Sequence, residues 1–256
     1  MPTTHHPLGI DIGGSGIKGA PVDLAKGRFA KDRLRFENPK RSTPDAVVDI
    51  VVQIAEHFAD DTGDSPIGVT LPAVVTNGVV RTAANIDPAW IGTDARKLLS
   101  DRLGRPVTVV NDADAAGLGE LEFGAARNAG GLVLVSTLGT GIGSALFYDG
   151  VLVPNLELGH MEIRGRDAER RSAAAARVRR GISWKAWAAD LDEHLLAIEK
   201  LFSPRLFIIG GGVSKRSERF VPRLTVRAEV IPARLLNDAG IVGAAMAADE
   251  RERAAH

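Results

Sequence analysis

Three glycine-rich turns each follow an apolar run in this sequence: Gly13-Gly14-Ser15-Gly16 after LGIDI, Gly139-Thr140-Gly141-Ile142-Gly143 after LVLVSTL, and Gly210-Gly211-Gly212 after LFII. Without a Cβ, backbone N–H groups can turn outward and approach a polyanion closely. Any one such turn reads more readily as a tight hairpin. Three in one chain, two of them echoing each other, point to a phosphate cleft. Neither a Walker pattern nor a GxGxxG opening a helix is present, because these turns mostly lead back into strands. Asp11 ends the first apolar run. A carboxylate there can hold Mg²⁺, directly or through water, or simply cap an Asx-type turn.

Asn111-Asp112 follows the apolar run VTVV. Polar residues at the carboxyl end of a buried strand stand where α/β proteins place their sites. Asp112 can accept the proton of an attacking hydroxyl there, or can serve as the N-cap of the Ala-rich segment that follows. Glu157-Leu158-Gly159-His160 sets a carboxylate and an imidazole close together on a loop. Such a pair can grip vicinal hydroxyls, each both donor and acceptor. Arg164, Arg166, Arg170, Arg171, Arg177, Arg179 and Arg180 form a basic run, and Lys215, Arg216 and Arg219 follow the third glycine turn. These read as a solvated face or as a track for a long polyanion.

The elements around these residues alternate between strand and helix. LGIDI, IGVTL (67–71), VTVVN (107–111) and LFII are short buried strands. Thr43-Pro44 opens an amphipathic helix carrying Val47, Val51, Ile54 and Phe58 at helical spacing. Further helices are expected over 93–102, after Asp114, near 184–202 and over the small-residue C-terminal segment. Asp149-Gly150 marks a hairpin turn. The pattern is that of α/β layers. LGIDIGGSGIKGA (8–20) and LVSTLGTGIGSAL (134–146) are both strand, glycine turn, strand, which suggests two related lobes with a cleft between them.

Composition narrows the function classes. The 256 residues carry 32 basic and 32 acidic side chains, so global charge points to neither nucleic acid nor membrane. Cys is absent, which excludes disulfides and Cys-ligated metals and fits a reducing compartment. No apolar stretch approaches the roughly 18 residues of a membrane span, and no signal core precedes Leu8, so a cytoplasmic location is expected.

Taken together, these motifs resemble the ROK family (repressors, open reading frames and kinases) over nearly the whole chain. GIDIGGSGIKGA is similar to the family's first phosphate motif, VVNDADAAGLGE to its catalytic-base motif and TLGTGIGSAL to its second phosphate motif. NLELGHMEIRG resembles the sugar signature and IIGGGVS the nucleotide-side turn. The short length and the NIDPAW and IGGGVSKRSERFVP segments look most like the family's polyphosphate-dependent glucokinases of actinobacteria.

The resemblance implies a two-lobed actin-like (ribonuclease H-like) α/β fold. Residues 1–112 with 238–256 would form the smaller lobe and 113–237 the larger. It implies phosphoryl transfer from polyphosphate, and also ATP, to glucose. Asp112 would be the base, and Asn85, Asn111, Glu157, His160 and Glu169 would hold the sugar. Asp11, Gly13, Gly14, Ser15, Lys18, Thr137, Gly139, Thr140, Gly141, Gly211 and Gly212 would hold the donor, with Mg²⁺ at Asp11. A homodimer is expected.

The sequence departs from the family in two ways. Many members bind zinc through the signature His and three following cysteines; with no Cys here, no zinc site is expected. Only seven residues precede Leu8, so a repressor's DNA-binding helices are not expected either. Two other readings stay open: an ATP-only kinase for glucose or mannose, and a non-catalytic actin-like sugar sensor.

Overall fold

The computed structural model describes residues 5–255. Met1–Thr4 and His256, which the expected smaller lobe includes, lie outside the described residues. The chain groups into two compact units, one running to Gly119 and resuming at Asp238, the other Glu120–Asn237.

The first unit begins with β1 (Leu8–Gly13) and β2 (Gly16–Asp23), an antiparallel hairpin closed by the first glycine turn. Two short strands, β3 (Arg28–Phe29) and β4 (Leu34–Phe36), extend β2. Helix α1 (Pro44–His57) starts at Pro44 behind an extended Thr43 that makes no side-chain cap. It is apolar on one face, and Val47, Val48, Val51 and Ile54 are fully buried. Burying each such side chain contributes about 1.5–3 kcal/mol. The short α2 (Ala59–Thr62) leads to β5 (Ile67–Leu71), which runs parallel to β1.

A small ribbon follows, β6 (Val75–Thr76) with β7 (Val79–Val80). Asp94 then caps α3 (Ala95–Leu103) by accepting from the Lys97 amide at 2.9 Å, so this helix starts two residues later than the sequence suggests. Strand β8 (Val107–Asn111) lies parallel to β5. Helix α4 (Asp112–Phe123) begins directly at the end of β8 and carries the chain into the second unit.

The second unit opens with an antiparallel pair, β9 (Leu132–Leu138) and β10 (Ile142–Tyr148), around the second glycine turn. The expected Asp149-Gly150 turn, with both residues at positive φ, links β10 to β11 (Val151–Leu156). The arginine-rich segment has more structure than its polarity suggests. It forms a tight hairpin, β12 (Glu162–Ile163) with β13 (Arg166–Asp167), then the short helices α5 (Glu169–Ser172) and α6 (Ala174–Arg179). Helix α7 (Trp184–Phe202), capped by Ser183, keeps the bounds its periodicity predicts. It buries Trp187, Leu191, Leu195 and Ile198 in one cluster with Leu134, Phe207 and Ile209 of the sheet. Strand β14 (Leu206–Gly210) pairs parallel with β9, and β15 (Glu229–Pro232) pairs parallel with β14.

Helix α8 (Ala239–Ala255) completes the first unit, packing on β1, β5 and β8. Its small residues bring the backbone down onto the sheet: a Cβ on Gly68 would collide with the Ala244 carbonyl. Among the described residues, no helix is long and apolar enough to cross a membrane.

Candidate functional site

In the first unit β1, β5 and β8 are parallel, so Asp11, Thr70 and Asn111 come to the same edge of the sheet, at the carboxyl ends of their strands. Asp11 is held on both sides. Its Oδ1 accepts from the Thr70 hydroxyl at 2.9 Å, and its Oδ2 lies 3.4 Å from Lys18 Nζ, directly opposite in the hairpin. Thr70 Oγ1 in turn accepts from the Ile12 amide at 3.1 Å. Thr70 went unremarked in the sequence because a single Thr in a buried run carries no pattern of its own. The first glycine turn is braced from outside. Arg35 donates to the Ser15 carbonyl at 2.7 Å, and Asn38 donates to the Gly13 carbonyl at 3.0 Å.

Asn111 and Asp112 both reach the start of α4, where Asp112 Oδ1 accepts from the Ala113 amide at 2.9 Å. Asn111 Oδ1 accepts from the amides of Ala113 (2.8 Å) and Asp114 (3.0 Å), so Asn111 makes the capping bonds of α4. Its Nδ2 donates to the Ala73 carbonyl at 3.0 Å, and the side chain is buried. Asp112, half-buried, is the first residue of the helix, where the exposed amides and the helix dipole favour negative charge. Asn85 is exposed on the loop before the buried Trp90, whose indole N–H donates to the Ser42 carbonyl at 2.8 Å.

In the second unit the second and third glycine turns lie side by side, with Thr137 next to Gly210 in the parallel register of β9 and β14. The Gly139 carbonyl accepts from the Ala175 amide at 3.0 Å, which fixes the start of α6 to that turn. The adjoining residue Ile142 ties the turn to the Glu157–His160 segment. Its amide donates to Glu169 Oε2 at 3.1 Å. Its carbonyl lies so close to Gly159 that an added Cβ would sit 2.5 Å away. Only glycine lets the Leu158–His160 turn approach β10 this closely.

His160 and Glu157 come together as the spacing suggests, with His160 Nε2 3.7 Å from Glu157 Oε2. The other ring nitrogen, Nδ1, lies 3.2 Å from Asp167 Oδ2, a partner the sequence did not reveal. Ligand atoms of His160, Asp167 and Glu169 all lie within 4.8 Å of one another, the compactness of a cation site. All three are already engaged, His160 and Asp167 with each other and Glu169 with the Ile142 amide. Burial is the main influence that raises the Glu157 carboxyl above its ordinary pKa; the His160 ring works against it, and Glu169 adds to it. Behind the turn, His194 Nε2 bonds the Leu158 carbonyl at 3.0 Å, and burial lowers the pKa of this ring.

The arginine run divides by partner. Arg171 and Arg180 both pair with buried Asp190, while Arg164 and Arg171 pair with Glu193. Arg177 lies over the Trp184 ring at 4.0 Å. Arg166, Arg170 and Arg179 are exposed and form no ion pair among the described residues. Much of the run therefore fastens α5 and α6 to α7 rather than forming a uniform solvated face.

A ROK family model matches residues 7–172. The chain belongs to the ROK family. It is 48% identical over 246 residues to a polyphosphate glucokinase of Mycobacterium tuberculosis, covering 96% of this chain and 92% of that protein. Among solved structures it is similar to an inorganic polyphosphate/ATP-glucomannokinase from Arthrobacter sp. strain KM. That match has a TM-score of 0.93 and 49% identity over 97% of this chain and 100% of that one. A ROK family glucokinase from Streptomyces griseus, at 24% identity and a TM-score of 0.83 over 95% of this chain and 99% of that one, shares the fold. The fold is thus the two-lobed actin-like one of ROK sugar kinases.

Proposed function

We propose that this ROK protein is a glucokinase that transfers the terminal phosphoryl group of inorganic polyphosphate, and of ATP, to the 6-hydroxyl of glucose. The observation that carries this reading is the 48% identity to a polyphosphate glucokinase along almost the full length of both chains. In the proposed reaction Asp112 accepts the proton of the glucose 6-hydroxyl as that oxygen attacks phosphorus in line. Asn85, Asn111, Glu157, His160 and Glu169 hold the sugar. Gly13, Gly14, Ser15, Lys18, Thr137, Gly139, Thr140, Gly141, Gly211 and Gly212 hold the donor. Positioning and charge stabilisation dominate such transfers, since little covalent work falls to the protein.

Mg²⁺ fits at Asp11, whose oxygens each carry one partner among the described residues, Thr70 on Oδ1 and Lys18 on Oδ2, and retain a lone pair for the ion or its water. A cation there would neutralise donor charge. The exposed Arg166, Arg170 and Arg179 are the members of the basic run available to a long polyanion. The same reading takes the protein as a cytoplasmic homodimer, which light scattering of the purified chain checks as to assembly. The glucomannokinase likeness makes mannose a second acceptor to test.

The decisive assay measures sugar 6-phosphate formation with Mg²⁺ from polyphosphate and from ATP, on glucose and on mannose. Higher kcat/KM with polyphosphate is expected. Product from ATP alone would remove the polyphosphate donor, and no product with any pair would leave a sugar-binding protein without kinase activity. Asp112→Asn is expected to cut turnover about 10²–10⁴-fold while circular dichroism and melting stay unchanged. A variant near full rate would remove Asp112 as the base.

A further inference from the structure

His160 is contacted by carboxylates on both sides: Asp167 Oδ2 at 3.2 Å from Nδ1, and Glu157 Oε2 at 3.7 Å from Nε2. An ionised carboxylate can only accept a hydrogen bond. In the neutral ring one nitrogen carries the hydrogen and the other a lone pair. The short contact therefore assigns the hydrogen to Nδ1, donated to Asp167, and leaves the lone pair on Nε2. With the opposite tautomer, Nε2–H would be drawn to Glu157 and would occupy the acceptor that a ligand needs.

Asp167 is held for this task by backbone rather than by chance. It ends the β12–β13 hairpin opposite Glu162, across a turn in which Arg164 and Gly165 both have positive φ. The next residue, Ala168, donates its amide to the Met161 carbonyl at 2.9 Å, so the hairpin closes immediately after His160. Ala168 is itself buried. The ring is thus clamped between a turn seated on β10 and a hairpin that returns one carboxylate to Nδ1.

We infer that Asp167 is a positioning residue that fixes the His160 tautomer, so that Nε2 and Glu157 together present two acceptors, and no donor, to adjacent hydroxyls of the sugar. For a neutral ring the tautomer follows from the geometry; its use for a sugar rests on the glucokinase reading. A ligand recognised this way must donate two hydrogens from neighbouring oxygens. A vicinal diol does so, and an analogue with either hydroxyl removed or methylated does not.

The test has two readouts on the full-length protein. Long-range ¹H–¹⁵N spectra of histidine-labelled protein, with His160 assigned through its loss in His160→Gln, should show the Nδ1–H form in the wild type. Asp167→Ala should shift the population toward Nε2–H and raise the glucose KM about tenfold, the scale seen when an imidazole loses its orienting partner, with kcat changed less than about threefold. Asp167→Asn keeps a carbonyl oxygen for Nδ1–H and should recover part of both effects, and it serves if the alanine variant folds poorly. An Nε2–H wild type, or an Asp167→Ala protein with unchanged tautomer and unchanged KM, overturns the inference. A wild type that shows the Nδ1–H form but phosphorylates no sugar overturns the glucokinase reading and leaves the tautomer assignment standing.

Discussion

The two glycine hairpins share one architecture and differ in one row of side chains. In each unit an antiparallel hairpin is followed, across the sheet, by two parallel strands: β2-β1-β5-β8 in the first and β10-β9-β14-β15 in the second. Two residues before the first glycine, the first unit carries Lys18, Asp11 and Thr70 side by side on β2, β1 and β5. The matching row of the second unit reads Gly143, Thr137 and Gly210. A cation, an anion and a hydroxyl in one half thus correspond to two bare backbones and a hydroxyl in the other. The same hairpin can therefore play two physical roles. With charged side chains it can hold an ion, and with glycines it offers the backbone itself to a phosphate. A second contrast lies in what braces each turn: side chains of Arg35 and Asn38 in the first, the backbone of α6 in the second.

The sharpest way to break this comparison is to neutralise its charged row. Asp11→Asn is expected to lower kcat about 10²–10³-fold, since it removes the only carboxylate of the row. Thr137→Ala should cost no more than about tenfold, the worth of one neutral hydrogen bond of roughly 0.5–1.5 kcal/mol. Steady-state rates with saturating donor and Mg²⁺ measure both. Equal losses would show that the two hairpins do the same work.

A smaller effect is expected at the joint between the second glycine turn and the Glu157–His160 segment. Gly159→Ala drives a methyl group against the Ile142 carbonyl, and overpacking of this kind costs about 1–3 kcal/mol. The melting temperature should fall, and glucose KM should rise more than donor KM. A rise confined to the donor would mean that Ile142 passes the strain to the glycine turn instead.

The mildest prediction concerns pH. Burial raises the Glu157 carboxyl in the folded protein, so the folded state holds its proton more tightly than the unfolded chain does. That contribution favours folding at acid pH and is lost as pH rises from the ordinary Glu value of 4.5 through the raised one. Glu157→Gln should therefore melt higher than the wild type at neutral pH, and the gap should close as pH falls. On the proposal that ionised Glu157 accepts from the sugar, glucose affinity should weaken in that same acid range. Melting curves and calorimetric glucose titrations across the range read the two trends, and parallel curves for the two proteins would deny this half-buried carboxyl its role.

What the sequence disclosed follows from how each element is specified. β5, β8 and α7 appear with the bounds their patterns predict, because buried apolar runs and a long amphipathic stripe leave one reading each. The glycine turns and the Glu157–His160 pair were legible because the residues concerned are neighbours in the chain. The Thr70 bond to Asp11 joins residues 59 positions apart, so only strand pairing creates it. Asp167 was hidden for a different reason. Two-residue strands in a charged segment have no periodicity, and the run of arginines around them reads as solvated until Asp190 and Glu193 are seen to hold it. Asn111 and Asp112 stand out as a pair in the sequence, and the structure adds that both side chains accept from the Ala113 amide while Asn111 also accepts from Asp114.

The placement of α8 has a consequence for the order of events at the ribosome. Ile241, Val242, Ala244 and Ala245 are buried against strands that were translated earlier, so the first sheet stays uncovered on that face until α8 is made. At roughly 5–20 residues per second, the stretch from Asn111 to Asp238 takes several seconds to emerge, and by then every residue of Glu120–Asn237 has been synthesised. Of these two units, the one begun earlier is therefore completed later. A ribosome that stalls or stops short of Ala239 releases a chain whose apolar β1, β5 and β8 lack their cover, a substrate for chaperones and proteases rather than a partly active enzyme.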